Sequence, residues 1–255
     1  MFDTIAKSKL SLVACQGGGG GLGAIETKGM GGSYKQKLME MYQALLAHFG
    51  PQKWWPADSP FEVMVGAVLT QNTNWANVER AIRNLKDSGV LDIEKLSQME
   101  TKILACLIRP AGYYNIKATR LKNFIEFLVK RYGGDLDLLF SEDTERLREA
   151  LLSVKGIGKE TADSILLYAA KRPVFVIDAY TYRILFRHGL VEEHVSYEEM
   201  QALFLENLDP DEALFNEFHA LIVQAGKTYC RPKPRCGQCP LRHWESEMGL
   251  FTTTD

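Results

Sequence analysis

From Tyr34 onward, apolar residues recur at intervals of three and four, a spacing that commits the chain to helices. Leu38, Met41, Tyr42, Leu45 and Phe49 form one stripe, and Phe61, Met64, Val65 and Val68 form another. The pattern returns at Val78, Ala81, Ile82 and Leu85, at Leu121, Phe124, Ile125 and Leu128, and at Ala162, Ile165, Leu166 and Ala169. Tyr182, Leu185, Phe186 and Gly189 repeat it, and Leu214, Phe218, Leu221 and Ala225 complete the series. Breakers separate the stripes at Gly50-Pro51, Ser59-Pro60, Gly133-Gly134 and Asp209-Pro210. Only Val174 to Ile177 reads as a strand, and it is too short to found a sheet. The fold class is all-α.

The chain of 255 residues, 46% hydrophobic and 24% charged, can bury one substantial core or two small ones. No apolar run reaches the roughly 18–20 residues of a membrane span, so no membrane partner is expected. Residues 1–33 stand apart. Gly17 to Gly21 are consecutive, and Gly23, Gly29, Gly31 and Gly32 follow, so this segment is expected to be a disordered extension. Leu12-Val13-Ala14-Cys15 has the outline of a lipoprotein cleavage site, but Lys7 and Lys9 break its short apolar stretch. A cytoplasmic protein is expected, with Met30 and Met39 as alternative starts. The net charge of −2 does not announce a nucleic-acid binder. Basic residues nevertheless cluster at Lys155, Lys159, Lys171, Arg172, Arg183 and Arg187, and again at Lys227, Arg231, Lys233, Arg235 and Arg242. Charge alone makes these ordinary solvated groups; their neighbours give them interest.

Val154-Lys155-Gly156-Ile157-Gly158-Lys159-Glu160-Thr161-Ala162 is the most informative stretch. Two glycines around one apolar residue allow a very tight turn, with Ile157 plugged onto the core. The exposed N–H groups could meet a phosphate without an intervening side chain. An ordinary interhelical turn would also explain a lone Gly-x-Gly. The longer string resembles the hairpin of the endonuclease III (helix-hairpin-helix) superfamily of DNA repair glycosylases. That resemblance implies a two-lobed fold, with a six-helix barrel lobe and a second lobe from both termini able to hold a metal cluster. It also implies DNA contact by Lys155, Gly156, Ile157, Gly158 and Lys159. The partner would be double-stranded DNA containing a damaged base, met by a monomer in a bacterial cytoplasm at the nucleoid.

Asp178 follows the apolar run and precedes a helical pattern, where aspartate is a good N-cap. In the resembled family a catalytic aspartate occupies such a helix start, 18 residues beyond its nucleophile position, and Glu160 lies 18 residues before Asp178. Relatives that also cut the backbone carry a lysine there, which forms a Schiff base. A carboxylate cannot, and Lys159 is rotated by about 100° on a helix. Hydrolysis of the glycosidic bond without lyase activity is therefore expected. Glu160 either lines the base pocket or is a solvated first-turn residue.

Leu69-Thr70-Gln71-Asn72-Thr73 resembles the family segment whose glutamine fills the gap left by an extruded base, which assigns that role to Gln71; a surface glutamine is the plain alternative. Trp54-Trp55-Pro56, Trp75 and the run Arg109 to Asn115 resemble a bacterial branch described as 3-methyladenine DNA glycosylases. The resemblance implies that Trp54, Trp55, Pro56 and Trp75 stack on an alkylated base. Out of context, tryptophans of this kind are core plugs, and Tyr113 and Tyr114 are read either as pocket faces or as core.

Cys230, Cys236 and Cys239 fall within ten residues, which suggests a metal site rather than a disulfide framework. The resemblance implies a [4Fe–4S] cluster here, yet the family's fourth cysteine, roughly six residues beyond the third, is missing. Position 245 is Glu245. His243 is the candidate fourth ligand, a set that would equally suit zinc, and an unmetallated remnant is the third possibility. The expected boundaries are 1–33 for the extension, 34–51 for an N-terminal helix packing on the C-terminal lobe, 52–172 for the six-helix lobe, 173–245 for the C-terminal lobe and 246–255 for a tail. Competing functions are a glycosylase for oxidised pyrimidines or mismatches, and a non-catalytic DNA-binding module.

Overall fold

The structure is a computed structural model describing residues 33–243. The expectations for residues 1–33 and 246–255 lie outside the described residues, apart from Ser33, whose hydroxyl caps the first helix through Gln36 N–H at 3.4 Å. In chain order the helices are α1 (Tyr34–Phe49), α2 (Pro60–Leu69), α3 (Trp75–Asp87), α4 (Ile93–Gln98), α5 (Thr101–Leu107) and α6 (Tyr114–Tyr132). They continue with α7 (Leu136–Ser141), α8 (Thr144–Leu152), α9 (Lys159–Ser164), α10 (Ala179–Arg187), α11 (Tyr197–Leu205) and α12 (Glu212–Thr228). A π-helical turn, Ile165–Ala169, extends α9. The described residues contain no strand; Val174 to Ile177 is a buried connection of irregular backbone.

Short polar side chains start these helices by accepting from otherwise orphaned N–H groups. Ser59 caps α2 through Glu62 N–H at 3.2 Å, with Pro60 in the first turn. Asn74 caps α3 through Asn77 N–H at 3.1 Å. Ser196 and Glu199 bond reciprocally at the start of α11. The apolar stripes face inward as expected: Leu38, Met41 and Leu45 are sealed where α1 packs on α12. Every residue of α2 from Phe61 to Leu69 is buried, which makes α2 the central helix, packed on α3, α6, α9 and the π turn.

Two buried charges tie this core to the segments of functional interest. Asp163 in α9 is fully buried, and its carboxylate accepts from Arg148 Nε at 2.6 Å and Nη2 at 3.0 Å. The Tyr197 hydroxyl at 2.7 Å and Gln201 Nε2 at 2.9 Å donate to the same group. Gln201 also donates to the Phe175 carbonyl at 2.8 Å, so one carboxylate links α8, α9 and α11 to the segment leading into Asp178. Lys117 in α6 is 1% exposed and donates to the carbonyls of Leu69 at 2.8 Å and Ala111 at 2.7 Å. It thereby clamps the end of α2 to the turn Arg109–Ala111. Burial lowers its pKa to about 8, with Arg120 adding to the effect.

Removing the Asp163 carboxylate would leave Arg148 half-dissolved in the core and two neutral donors without their acceptor. We expect Asp163→Ala to cost about 3–5 kcal/mol, read as a drop in the urea midpoint at unchanged slope. Asp163→Asn should fall between the two.

Candidate active site

The glycine hairpin joins α8 to α9. Gly156 has φ +104, and a Cβ there would lie 2.4 Å from Arg120 Cγ, so only glycine lets α6 approach. Ile157 is buried at 6% exposure and plugs the turn onto the core, and its N–H donates to the Val154 carbonyl at 3.0 Å. Gly158 starts α9 with open space where a side chain would be and no side-chain cap, so the first N–H groups of α9 remain available to an anion. Lys155 is exposed, and its carbonyl accepts from Asn123 Nδ2 at 2.9 Å. Lys159 is turned toward α11: its ammonium pairs with Glu198 at 2.5 Å and lies over the Tyr197 ring.

Gln71 faces the same hairpin. Its Nε2 donates to the Gly156 carbonyl at 3.0 Å and the Thr161 hydroxyl at 2.9 Å, and its Oε1 accepts from Arg120. The side chain is thus engaged internally, and filling a vacated base stack would require it to exchange all three bonds. Nearby Tyr113 is 69% exposed with a left-handed backbone, φ 45. Tyr114 is partly buried, with Arg109 over its ring.

Asp178 is the N-cap of α10 and is 9% exposed. Its Oδ1 accepts from Thr181 N–H at 2.7 Å and Thr181 Oγ1 at 2.9 Å, which fixes the carboxylate's direction. Its Oδ2 lies 3.8 Å from His219 Nε2. Burial, then the charge of Asp178, raises the pKa of partly buried Glu160 to about 7. Burial lowers the pKa of Lys227, an effect the Asp178 charge opposes. These groups therefore share one electrostatic neighbourhood.

The aromatic wall stands beside it. The rings of Trp55 and Trp75 lie 4.9 Å apart edge to face, Trp54 and Trp75 5.9 Å, and Trp54 and Trp55 6.0 Å. Trp55 rests on α2 at Gly66, where a Cβ would come within 3.1 Å of the indole. Its other neighbour is Tyr168, at 5.1 Å. The Lys227 ammonium sits 5.2 Å from the Trp54 ring, which brings the wall and the Asp178 neighbourhood together. Pro56 is exposed at the edge of this group. Sequence reasoning missed Lys227, His219 and Tyr168; the first appeared only as one basic residue of a cluster, and the others lie within apolar helical runs.

The cysteine loop brings the three expected thiols together. Cys230, Cys236 and Cys239 line one cavity with Arg187 and Arg242, but His243 is not among its walls. The His243 ring accepts from Arg242 Nε at 2.9 Å. Among the described residues no group of three His, Cys, Asp or Glu side chains is arranged to hold a metal ion. Burial pushes the Cys239 thiol up, and the neighbouring Cys230 and Cys236 add to this. Neither a [4Fe–4S] cluster nor zinc finds a complete ligand shell in these residues.

Comparison with known proteins bears on this arrangement. The family model described as HhH-GPD superfamily base excision DNA repair protein matches residues 65–210. A Methanocaldococcus jannaschii protein, provisionally named a DNA repair glycosylase, is 48% identical over 210 residues, covering 82% of this chain and 96% of that one. Endonuclease III of Thermotoga maritima is 31% identical over 186 residues, covering 72% of this chain and 81% of that one. The crystal structure of H. pylori 3-methyladenine DNA glycosylase bound to 1,N6-ethenoadenine superposes with a TM-score of 0.65 at 32% identity, covering 76% of this chain and 97% of that one.

The raised pKa of Glu160 carries a sign that can be measured. A carboxyl that ionises near 7 when folded and near 4.5 when unfolded holds its proton more tightly in the native state, so its stabilisation is complete below pH 4.5 and is lost as pH rises toward 7. Wild type should lose on the order of 2–3 kcal/mol relative to Glu160→Gln across that window in urea titrations. Parallel pH profiles would reject the buried, proton-holding carboxyl.

Proposed function

Because the chain belongs to the HhH-GPD superfamily of base excision DNA repair proteins, we propose that it is a monofunctional DNA N-glycosylase releasing an alkylated purine, such as 3-methyladenine, from a flipped nucleotide. The observation that carries this reading is the junction, through Lys227, of Asp178, capped through Oδ1 and with Oδ2 facing His219, and the wall of Trp54, Trp55 and Trp75. N3-alkylation gives the adenine a positive charge, so the base departs neutral without a general acid. Indole faces hold such a cationic ring better than a neutral one. As the bond to C1′ lengthens, the sugar takes on oxocarbenium charge, which the Asp178 carboxylate opposes. A water oxygen then bonds to C1′ while its proton passes to Asp178 and on to solvent. The backbone N–H groups of Gly156, Gly158 and Lys159 would hold a phosphate of the strand. The H. pylori enzyme's name, at 32% identity, supports the substrate class.

The absence of a lyase step rests on Glu160, since a carboxylate forms no Schiff base, and on Lys159, whose amine is paired with Glu198. The similarity to the T. maritima endonuclease III keeps an oxidised-pyrimidine or mismatch specificity as the competing reading.

Duplexes carrying 3-methyladenine, 7-methylguanine, thymine glycol or a G·T mispair separate these readings when released base and strand nicks are scored independently. We expect 3-methyladenine release without nicking, and a loss of about 10²–10⁴-fold in Asp178→Asn with DNA binding retained. Preferred release of thymine glycol, or wild-type rates in Asp178→Asn, would overturn the assignment. Nicking with borohydride-trapped complexes would defeat the monofunctional reading and direct attention to Lys227, whose amine lies over Trp54.

A further inference from the structure

We propose that His219, backed by Tyr168, is a positioning residue for Asp178, presenting its Nε2–H to Oδ2 when a flipped nucleotide occupies the site. This rests on the reading of Asp178 as the catalytic carboxylate.

His219 interrupts an otherwise apolar face of α12, between Phe215 and Phe218 on one side and Leu221 and Ile222 on the other. It is 6% exposed. Its Nδ1 lies 2.5 Å from the Tyr168 hydroxyl, and its Nε2 lies 3.8 Å from Asp178 Oδ2. Among the described residues, Nε2 has no hydrogen-bond partner. A buried donor left unpaired costs about 1–3 kcal/mol, so a fold that keeps one beside a carboxylate points to a bond made in another state.

The tautomer follows from the neighbours. If the phenol donates to Nδ1, the ring proton sits on Nε2 and faces the carboxylate, an attractive arrangement; the opposite tautomer would aim a lone pair at a negative charge. Burial pushes the imidazole's pKa down and the phenol's well up, which keeps both neutral. Oδ1 is already held by Thr181, so Oδ2 is the oxygen left for the sugar. A donor on one of its lone pairs would aim the other. A separation of 3.8 Å is too long for a hydrogen bond, and active-site bonds that are loose in the free enzyme commonly tighten in the substrate complex. Trp55, 5.1 Å from Tyr168, gives a stacked base a contiguous route to this pair.

The test compares His219→Leu, His219→Gln, Tyr168→Phe and Asp178→Asn in single-turnover base release, DNA affinity and melting temperature. Leucine fills the space without a donor, whereas the glutamine amide can reach the Nε2 position and donate. We expect His219→Leu to slow release by about ten- to a hundredfold at unchanged DNA affinity, the range of one hydrogen bond to a charged group. His219→Gln should restore a rate close to wild type, and Tyr168→Phe should fall between. A wild-type rate in folded His219→Leu, or a glutamine variant as slow as leucine, overturns the inference. If His219→Leu does not fold, Tyr168→Phe decides, with a wild-type rate overturning it. Loss in Asp178→Asn beside a wild-type rate in His219→Leu sinks this inference alone, whereas a wild-type rate in Asp178→Asn sinks the glycosylase assignment with it.

Discussion

The Asp163 carboxylate is the interaction on which the rest of the arrangement turns. It lies in α9 directly behind the glycine hairpin, and through Tyr197 and Gln201 it reaches the segment that delivers Asp178. A carboxylate with no exposure would be expelled from this core by its desolvation cost if its acceptor sites were not filled, and Arg148, Tyr197 and Gln201 fill them. The network is therefore all or nothing. While it stands, the hairpin and the start of α10 keep a fixed relation, which an enzyme needs if one element is to hold a strand and the other to meet its sugar.

Lys117 does for the opposite side of the site what Asp163 does for this one. By donating to carbonyls at the end of α2 and in the turn before α6, it sets the loop bearing Gln71 against the loop bearing Tyr113. Gln71 then closes onto the hairpin with Arg120. The glycine at 156 is what admits Arg120 to that corner. Three segments far apart in sequence are thus locked by polar groups at their ends, while the apolar stripes between them supply bulk burial without specifying register.

This division explains what could be read from the chain. Helices were legible because their stripes and caps are local: Ser59-Pro60 announces α2, and Asp178 announces α10 as well as a carboxylate of fixed direction. The tryptophans and the hairpin were legible by resemblance. Lys117, Asp163 and His219 were not, because each has a partner far along the chain, Leu69 at 48 residues, Tyr197 at 34 and Tyr168 at 51. In sequence each is a polar residue inside a helical run, indistinguishable from a solvated one until the fold closes around it.

The loop after α12 is anchored by guanidinium groups from α10. Arg183 donates to the Cys230 carbonyl at 2.5 Å, and Arg187 donates to the carbonyls of Arg231 at 2.7 Å and Pro232 at 3.1 Å. These bonds specify the path of the backbone by themselves. A basic loop held in this manner takes its path from α10, so any shift of that helix would carry the charges of Arg231, Lys233 and Arg235 with it.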